Sequence, residues 1–237
     1  MIYSVKYEDF GLRDYKETWD YQEKIFQIVV NKKKEDRSVT GSGEPDYGTL
    51  IFVEHPHVYT LGKSGNENNL LLNYIQLKAK DAAFYKIDRG GDITYHGPGQ
   101  LVGYPIFDLE KIGVSLKKYI FLLEESVIHM LAGFGLNGER LEGATGVWLD
   151  VNDPAKTRKI CAIGVRASRY VTMHGFALNI NTDLNYFTFI NPCGYTDKGV
   201  TSLEKELGKK QDMDIVKEML KDRLKEVFNL KWIKQGR

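Results

Sequence analysis

Cys161 and Cys193 are the thiols of this chain, and their surroundings separate them chemically. Cys161 lies in KICAIGV, an apolar run in which a free cysteine behaves as a small buried hydrophobe. Cys193 lies in INPCGYTDKG, where Pro192 cannot donate to a sheet ladder and Gly194 frees the backbone that follows. That is the composition of a turn that presents its cysteine. A thiol attacks as the thiolate, and near an ordinary pKa of about 8.5 little of it is ionised at neutrality, so a neighbouring cation or base must activate it. Lys159, His96 and His174 are candidates, and spacing along the chain does not choose among them.

The other chemically unusual stretch is RGGDITYHGPGQL, residues 89–101, in which glycines and a proline surround Arg89, Tyr95 and His96. Turn geometry alone accounts for many Gly/Pro clusters. Here AFYKID precedes the cluster and LVGYPIFDL follows it, so the glycines are expected between two strands, a setting in which glycine marks close approach of a ligand or of another backbone.

Other motif matches fail on their physics. GFGLNG, residues 133–138, fits G-x-G-x-x-G but closes an expected helix, whereas a pyrophosphate-binding turn follows a strand and opens a helix. Gly62-Lys63-Ser64 resembles the end of a P-loop, yet His57 stands where that motif needs its first glycine. His55, His57, His96 and His174 lack carboxylate or cysteine partners at zinc-ligand spacing, so the expectation is hydrogen-bonded histidines and no metal.

The elements that must position these groups can be read from periodicity. Residues 15–31 carry Trp19, Tyr21, Ile25, Phe26, Ile28 and Val29 at helical spacing, and NKKKEDRSVTGSGEPDYG reads as a loop. TLIFVEH and HVYTLG read as strands. Ser115 is placed to cap a helix whose stripe is Leu116, Tyr119, Ile120, Leu123, Val127, Met130, Leu131 and Phe134, with Gly133 and Gly135 at its end. GVWLDV, KICAIGVRAS and VTMHGFALNIN are strand candidates, TDLNYFTFINPCGYTDKG a loop, and DMDIVKEMLKDRLKEVFNL an amphipathic helix.

Length and composition bound the function. A chain of 237 residues with 42% hydrophobic and 27% charged residues is expected to form a single globular domain with a substantial core. A formal net charge of +1 gives no field that would favour nucleic acid, and the basic runs 31–34 and 156–159 read as solvated faces able to meet an acidic protein. No basic-then-apolar leader and no run approaching about 18 apolar residues is visible, so neither export nor membrane insertion is expected. The cysteine usage fits free thiols in a reducing, cytoplasmic setting.

Taken together, RGGDITYHGPGQLVGYPIFDL (89–109), RKICAIGVR (158–166), HGFALNIN (174–181) and INPCG (190–194) closely resemble the signature segments of the lipoyl(octanoyl) transferases. These are the octanoyltransferases of lipoate synthesis, within the biotin/lipoate protein ligase superfamily. The resemblance runs in order from about 50 to 205.

It implies an α+β fold: a single domain, here 1–237, with a mixed, curved β-sheet flanked by helices. It implies that Cys193 takes the acyl group as a thioester, and that Lys159 lowers the thiol pKa and shuttles protons. The acyl-donor site would be lined by Arg89, Gly90, Gly91, Asp92, Ile93, Thr94, Tyr95 and His96, by the backbone of Ala162, Ile163 and Gly164, and by that of Gly175, Phe176 and Ala177. The implied donor is octanoyl-acyl carrier protein. The implied acceptors are lipoyl domains of 2-oxoacid dehydrogenase complexes and the glycine cleavage H protein, and neither ATP nor another cofactor is required. His57 stands where the family often carries a second proline, which leaves the Cys/Lys pair intact and bears only on local loop contacts. Two other readings compete: an ATP-dependent lipoate or biotin protein ligase, and a non-catalytic module that binds an acyl carrier protein. Cys193 and Lys159 together argue against both.

Overall fold

A computed structural model of the chain describes residues 2–35, 48–191 and 199–233. Its scaffold starts from β2 (Gly48–Glu54), where alternate residues serve two different cores. Leu50 and Phe52 join one cluster and Ile51 and Val53 the other, so both faces of the strand are covered and the run GTLIFVE is apolar without alternation.

Among the described residues, one large sheet runs in the order β12 (Leu230–Ile233), β1 (Tyr3–Leu12), β2, β6 (Gln100–Ile106), β10 (Val171–Asn179), β9 (Arg158–Ser168), β8 (Ala144–Leu149) and β7 (Glu139–Leu141), with β11 (Gly199–Val200) beside β9. β1 pairs in parallel with β12 and with β2, and the ladders from β2 through to β7 are antiparallel, so the sheet is mixed. One face carries α4 (Leu116–Ala132) and α6 (Met213–Phe228), whose Leu123, Val127, Leu220 and Leu224 pack against Leu101, Cys161, Phe176 and Leu178. The other face carries α1 (Tyr15–Glu35), which buries Phe26 and Val30 on Val102, Tyr104 and Ala177. The fold is α+β, with a mixed sheet flanked by helices.

A second sheet orders β4 (Ala83–Lys86), β3 (Val58–Leu61) and β5 (Ile93–His96). Short helices fill the remaining connections: α2 (Tyr74–Ala79), α3 (Leu109–Ile112) and α5 (Leu203–Leu207).

Local chemistry explains where helices start. Ser115 accepts from the Lys118 amide (3.2 Å) and Asp212 accepts from the amides of Asp214 and Ile215, so both long C-terminal-half helices open on a capped turn. Residues 32–35, expected in a loop, belong instead to α1, which carries Lys32, Lys33 and Lys34 in its last turn, cations that suit a helix C-terminus; residues 36–47 of that expected loop lie outside the described residues. Lys33 also reaches across to Asp108 and Glu110, at 2.6 Å each. β1, β5 and β12 were not expected from the sequence. β5 lies inside the glycine-rich stretch and owes its form to pairing with β3. No helix among the described residues is long and apolar enough to cross a membrane.

Candidate functional site

A cavity of about 510 Å³ opens where the second sheet, the N-terminal end of α1 and strands β6, β10, β9 and β8 meet. Arg89, Gly90, Gly91, Asp92, Ile93, Thr94, His96, Lys159, Ala162, Ile163, Gly164, Gly175, Phe176 and Ala177 all line it. Tyr95 does not. Its buried ring stacks on Tyr186 (centroids 5.0 Å apart), and its hydroxyl meets His57 Nδ1 at 2.7 Å. Cys193 lies outside the described residues. Val200, seven positions further on, is described: it pairs with Lys159 and lines the cavity.

The glycine-rich stretch meets the large sheet at one crossing. The Gly90 amide donates to the Val165 carbonyl (2.9 Å), and Arg89 anchors the other side by donating to the Thr60 carbonyl at 2.7 Å. A Cβ at Gly164 would stand 2.9 Å from the Gly90 carbonyl oxygen, closer than side-chain carbons approach backbone, so glycine at 164 is required for the crossing. Backbone direction alternates along an antiparallel strand, so the Ile163 N–H faces the same edge as the Val165 carbonyl, and β8 pairs with β9 only as far as Cys161.

Lys159 is held by β8. Its Nζ donates to the Thr145 carbonyl at 3.2 Å and sits 4.5 Å from the centroid of the buried Trp148 ring. The register of β8 against β9 shifts between Val147 and Trp148, and Gly146 takes φ +123° there, a backbone setting that other residues rarely adopt. Buried Glu124 fixes this bulge by accepting from the Gly146 amide (3.0 Å), and Arg140 pairs with Glu124 at 2.9 Å. Trp148, Thr145 and Glu124 were not singled out in the sequence; the bulge that makes them neighbours of Lys159 has no local signal beyond Gly146.

The far end of the cavity carries neutral polar groups. His96 Nδ1 donates to Gln100 Oε1 (2.8 Å), Gln100 Nε2 donates to Asn179 Oδ1 (2.9 Å), and Asn179 Nδ2 donates to the Thr201 carbonyl (3.0 Å). Thr201 in turn donates its amide to the Lys159 carbonyl at 2.9 Å. Burial pushes His96 down to about 3, with the adjacent His55 opposing its charge as well. His55, between the Arg13 carbonyl (2.8 Å) and the Tyr104 hydroxyl (2.9 Å), is pushed by burial down to about 4. His174 Nε2 donates to Asp88 Oδ1 (2.9 Å); burial lowers its pKa although the Asp88 hydrogen bond and charge act the other way. Neither His96 nor His174 is therefore a cation at neutral pH. Among the three candidate activators, Lys159 alone brings a formal positive charge to the cavity.

Cys161 is fully buried on the opposite face of β9, and burial pushes its thiol pKa up. It packs with Leu101, Val147 and Leu178 in the core under α4 and α6. Among the described residues, no group of three or more His, Cys, Asp or Glu side chains could hold a metal ion.

Residues 14–225 match the pattern of the lipoyl protein ligase A/B catalytic domain. A protein from Flavobacterium johnsoniae named octanoyltransferase is 60% identical over 225 residues, covering 94% of this chain and 96% of that one. An octanoyltransferase from Christiangramia forsetii is 57% identical over 225 residues, covering 94% and 95%. Among solved structures, a bipartite lipoate protein ligase from Thermoplasma acidophilum superposes with a TM-score of 0.74 at 15% identity, covering 98% of this chain and 87% of that one. A lipoate-protein ligase A bound with ATP gives 0.72 at 15% identity, covering 99% and 89%. At that identity the structural likeness speaks for the fold.

Proposed function

This chain belongs to the lipoyl protein ligase A/B catalytic domain family and is an acyltransferase, and on that premise we propose that it moves an octanoyl group from octanoyl-acyl carrier protein to a lysine of a lipoyl domain, as one catalytic domain. In this reading the Cys193 thiolate attacks the donor thioester carbonyl. The carbon–sulfur bond to the carrier breaks, and the carrier leaves as a thiol by taking a proton from the Lys159 ammonium, which becomes the neutral amine. The octanoyl-enzyme is then attacked by the neutral ε-amine of the acceptor lysine. The amide forms, the Cys193 thiolate departs, and the proton lost by the amine passes to a base.

Lys159 is the residue we assign to both proton roles. As an ammonium it favours the thiolate, and as an amine it takes the proton of the attacking nitrogen. Its setting supports the assignment: Thr145 and Trp148 hold the ammonium at the cavity wall, and β11 lies alongside, with Val200 paired to Lys159. The apolar stretch of the cavity from Ala162 to Ala177 and Val102 suits an alkyl chain.

The observation that carries the reading is Lys159 fixed at the wall of an acyl-sized cavity in a chain more than half identical to octanoyltransferases. The test is octanoylation of a purified lipoyl domain from octanoyl-acyl carrier protein with no nucleotide present. Product in the absence of ATP supports the transferase. Product formed only when free octanoate and ATP are supplied would assign the chain to ligase chemistry instead.

A further inference from the structure

The basic runs that stand out in the sequence are already engaged. Lys33 pairs with Asp108 and Glu110, Lys156 with Asp153, and Arg158 with Asp150 and Glu206. Part of the charge of each run is thereby paired within the chain, whereas Lys34, among the described residues, donates only to the neutral Asn31 side chain.

A different face has the opposite character. Leu71, Tyr74 and Ile75 are 51%, 69% and 77% exposed, three large apolar side chains within five positions. They sit on and just before α2, a helix set rigidly by a reciprocal cap: Asn73 accepts from the Gln76 amide (3.0 Å), and Gln76 accepts from the Asn73 amide (2.9 Å). Leu77 anchors the inner side of α2 by burial with Tyr59, Leu61 and Ile190. The outer side then presents Tyr74, Ile75 and Lys78, which are neighbours at helical spacing. Lys78 lies over the Tyr74 ring (4.9 Å) and Lys80 over the Phe189 ring (4.1 Å), and neither has a carboxylate partner among the described residues. An apolar centre with an unneutralised cationic rim complements an acidic partner that carries an apolar contact.

The face also stands in a defined relation to the cavity. The Leu71 amide donates to the Phe189 carbonyl (2.9 Å), the Asn191 amide to the Asn69 carbonyl (2.8 Å), and Phe187 lines the cavity. α2 is thus tied to the chain leading toward Cys193, yet Leu71, Tyr74 and Ile75 themselves lie outside the cavity wall. A partner that delivers its reacting group on a lysine side chain must cover the cavity rim itself. A partner that delivers it on a phosphopantetheine arm, several times longer, docks off the rim.

We propose that the outer face of α2, with Leu71, Tyr74, Ile75, Lys78 and Lys80, is the docking surface for the acidic acyl carrier protein that brings the thioester. This rests on the octanoyl transfer proposed above. The docking itself is measurable without turnover: fluorescence anisotropy of labelled octanoyl-acyl carrier protein titrated with wild type, with Tyr74→Glu/Ile75→Glu and with Lys78→Glu, alongside transfer from octanoyl-N-acetylcysteamine, which has no carrier. All these side chains are exposed, and thermal midpoints confirm the fold of each variant.

The expected result is carrier affinity lowered roughly tenfold or more, with carrier-free transfer and the KM for the lipoyl domain changed by less than about twofold, since neither contact uses this face. The Lys78→Glu variant should also show a weaker salt dependence of carrier binding. Unchanged carrier affinity in both variants overturns the proposal. So does a raised lipoyl-domain KM with carrier binding intact, which would give the face to the acceptor. Concentration-dependent dimerisation of the wild type, lost in the variants, would give it to a second copy of the chain. Carrier binding lost in the variants, in a protein that transfers nothing from either donor, would leave the docking assignment standing and refute the reaction.

Discussion

Replacing Ala177 by leucine should shorten the acyl chain that the cavity accepts. Ala177 lies opposite Ala162 on β9 and Val102 on β6, and all three line the cavity. Lys159 precedes Ala162 by three residues, which is about 10 Å along a strand. An extended eight-carbon chain built from bonds of about 1.5 Å spans roughly 9 Å, so a thioester held beside Lys159 puts its last methylenes near Ala177. Leucine adds three carbons there. If they displace about three methylenes, each worth about 0.8 kcal/mol of burial, the eight-carbon donor loses about 2.4 kcal/mol. That is roughly a 60-fold drop in kcat/KM for the eight-carbon donor. A four-carbon donor ends before the obstruction and should change by less than about twofold. The assay is kcat/KM for four-, six- and eight-carbon N-acetylcysteamine thioesters with a lipoyl domain as acceptor, with the thermal midpoint as a check on packing. An equal loss for all three donors in a stably folded variant would refute the placement of the chain along Ala162 and Ala177.

Three further outcomes follow from the same geometry. Lys159→Ala should slow both acylation and transfer and raise the pKa of the reactive thiol, read from the pH dependence of iodoacetamide alkylation; an unchanged alkylation profile would break the pairing with Cys193. Cys161→Ala should lower stability by on the order of 1 kcal/mol, seen in urea unfolding, and leave transfer intact, because Cys161 packs in the core and does not reach the cavity. Acid should destabilise the fold well above the carboxylate range. His55 and His96 titrate near pH 6.5 in the unfolded chain but only near about 4 and about 3 when folded, so the unfolded state takes up protons first. Stability is then full above pH 6.5 and falls as pH drops, toward limiting losses of about 3 kcal/mol for His55 below pH 4 and about 5 kcal/mol for His96 below pH 3. Thermal midpoints measured from pH 7.5 to 4.5 should fall, and less steeply in His55→Gln; a flat profile would contradict the neutral buried pair.

Elements whose signals are local were legible from the sequence. The Ser115 cap, the apolar stripe of α4 and the amphipathic α6 each follow from spacing that one helix imposes on itself. β8, β9 and β10 were visible as apolar runs, and the glycines of 89–101 as a close approach, which the crossing of Gly90 and Gly164 accounts for. What escaped depends on partners far away in the chain. β1 and β12 are strands because they pair with each other across the whole length of the sequence. β5 forms because β3 receives it, although its neighbours are turn residues. In the site, Lys159 and the glycine-rich stretch could be recognised as residues, while Cys193, also singled out, lies outside the described residues. The groups that surround the first two could not be recognised: the Thr145 carbonyl, the Trp148 face, and the relay from His96 through Gln100 and Asn179 to Thr201 exist only once β5, β6, β8, β10 and β11 are laid side by side. His174 is another such case, a non-glycine residue at φ +60° within a strand, a strained setting that no sequence pattern announces.

The central claim is a covalent octanoyl thioester on Cys193, and intact mass spectrometry after brief incubation with octanoyl-acyl carrier protein, without nucleotide, measures it directly. Wild type and Cys161→Ala should each gain the mass of one octanoyl group, labile to hydroxylamine and discharged when a lipoyl domain is added, while Cys193→Ala should gain nothing. An adduct that survives in Cys193→Ala, or lipoyl-domain octanoylation by a Cys193→Ala enzyme at the wild-type rate, would contradict the account.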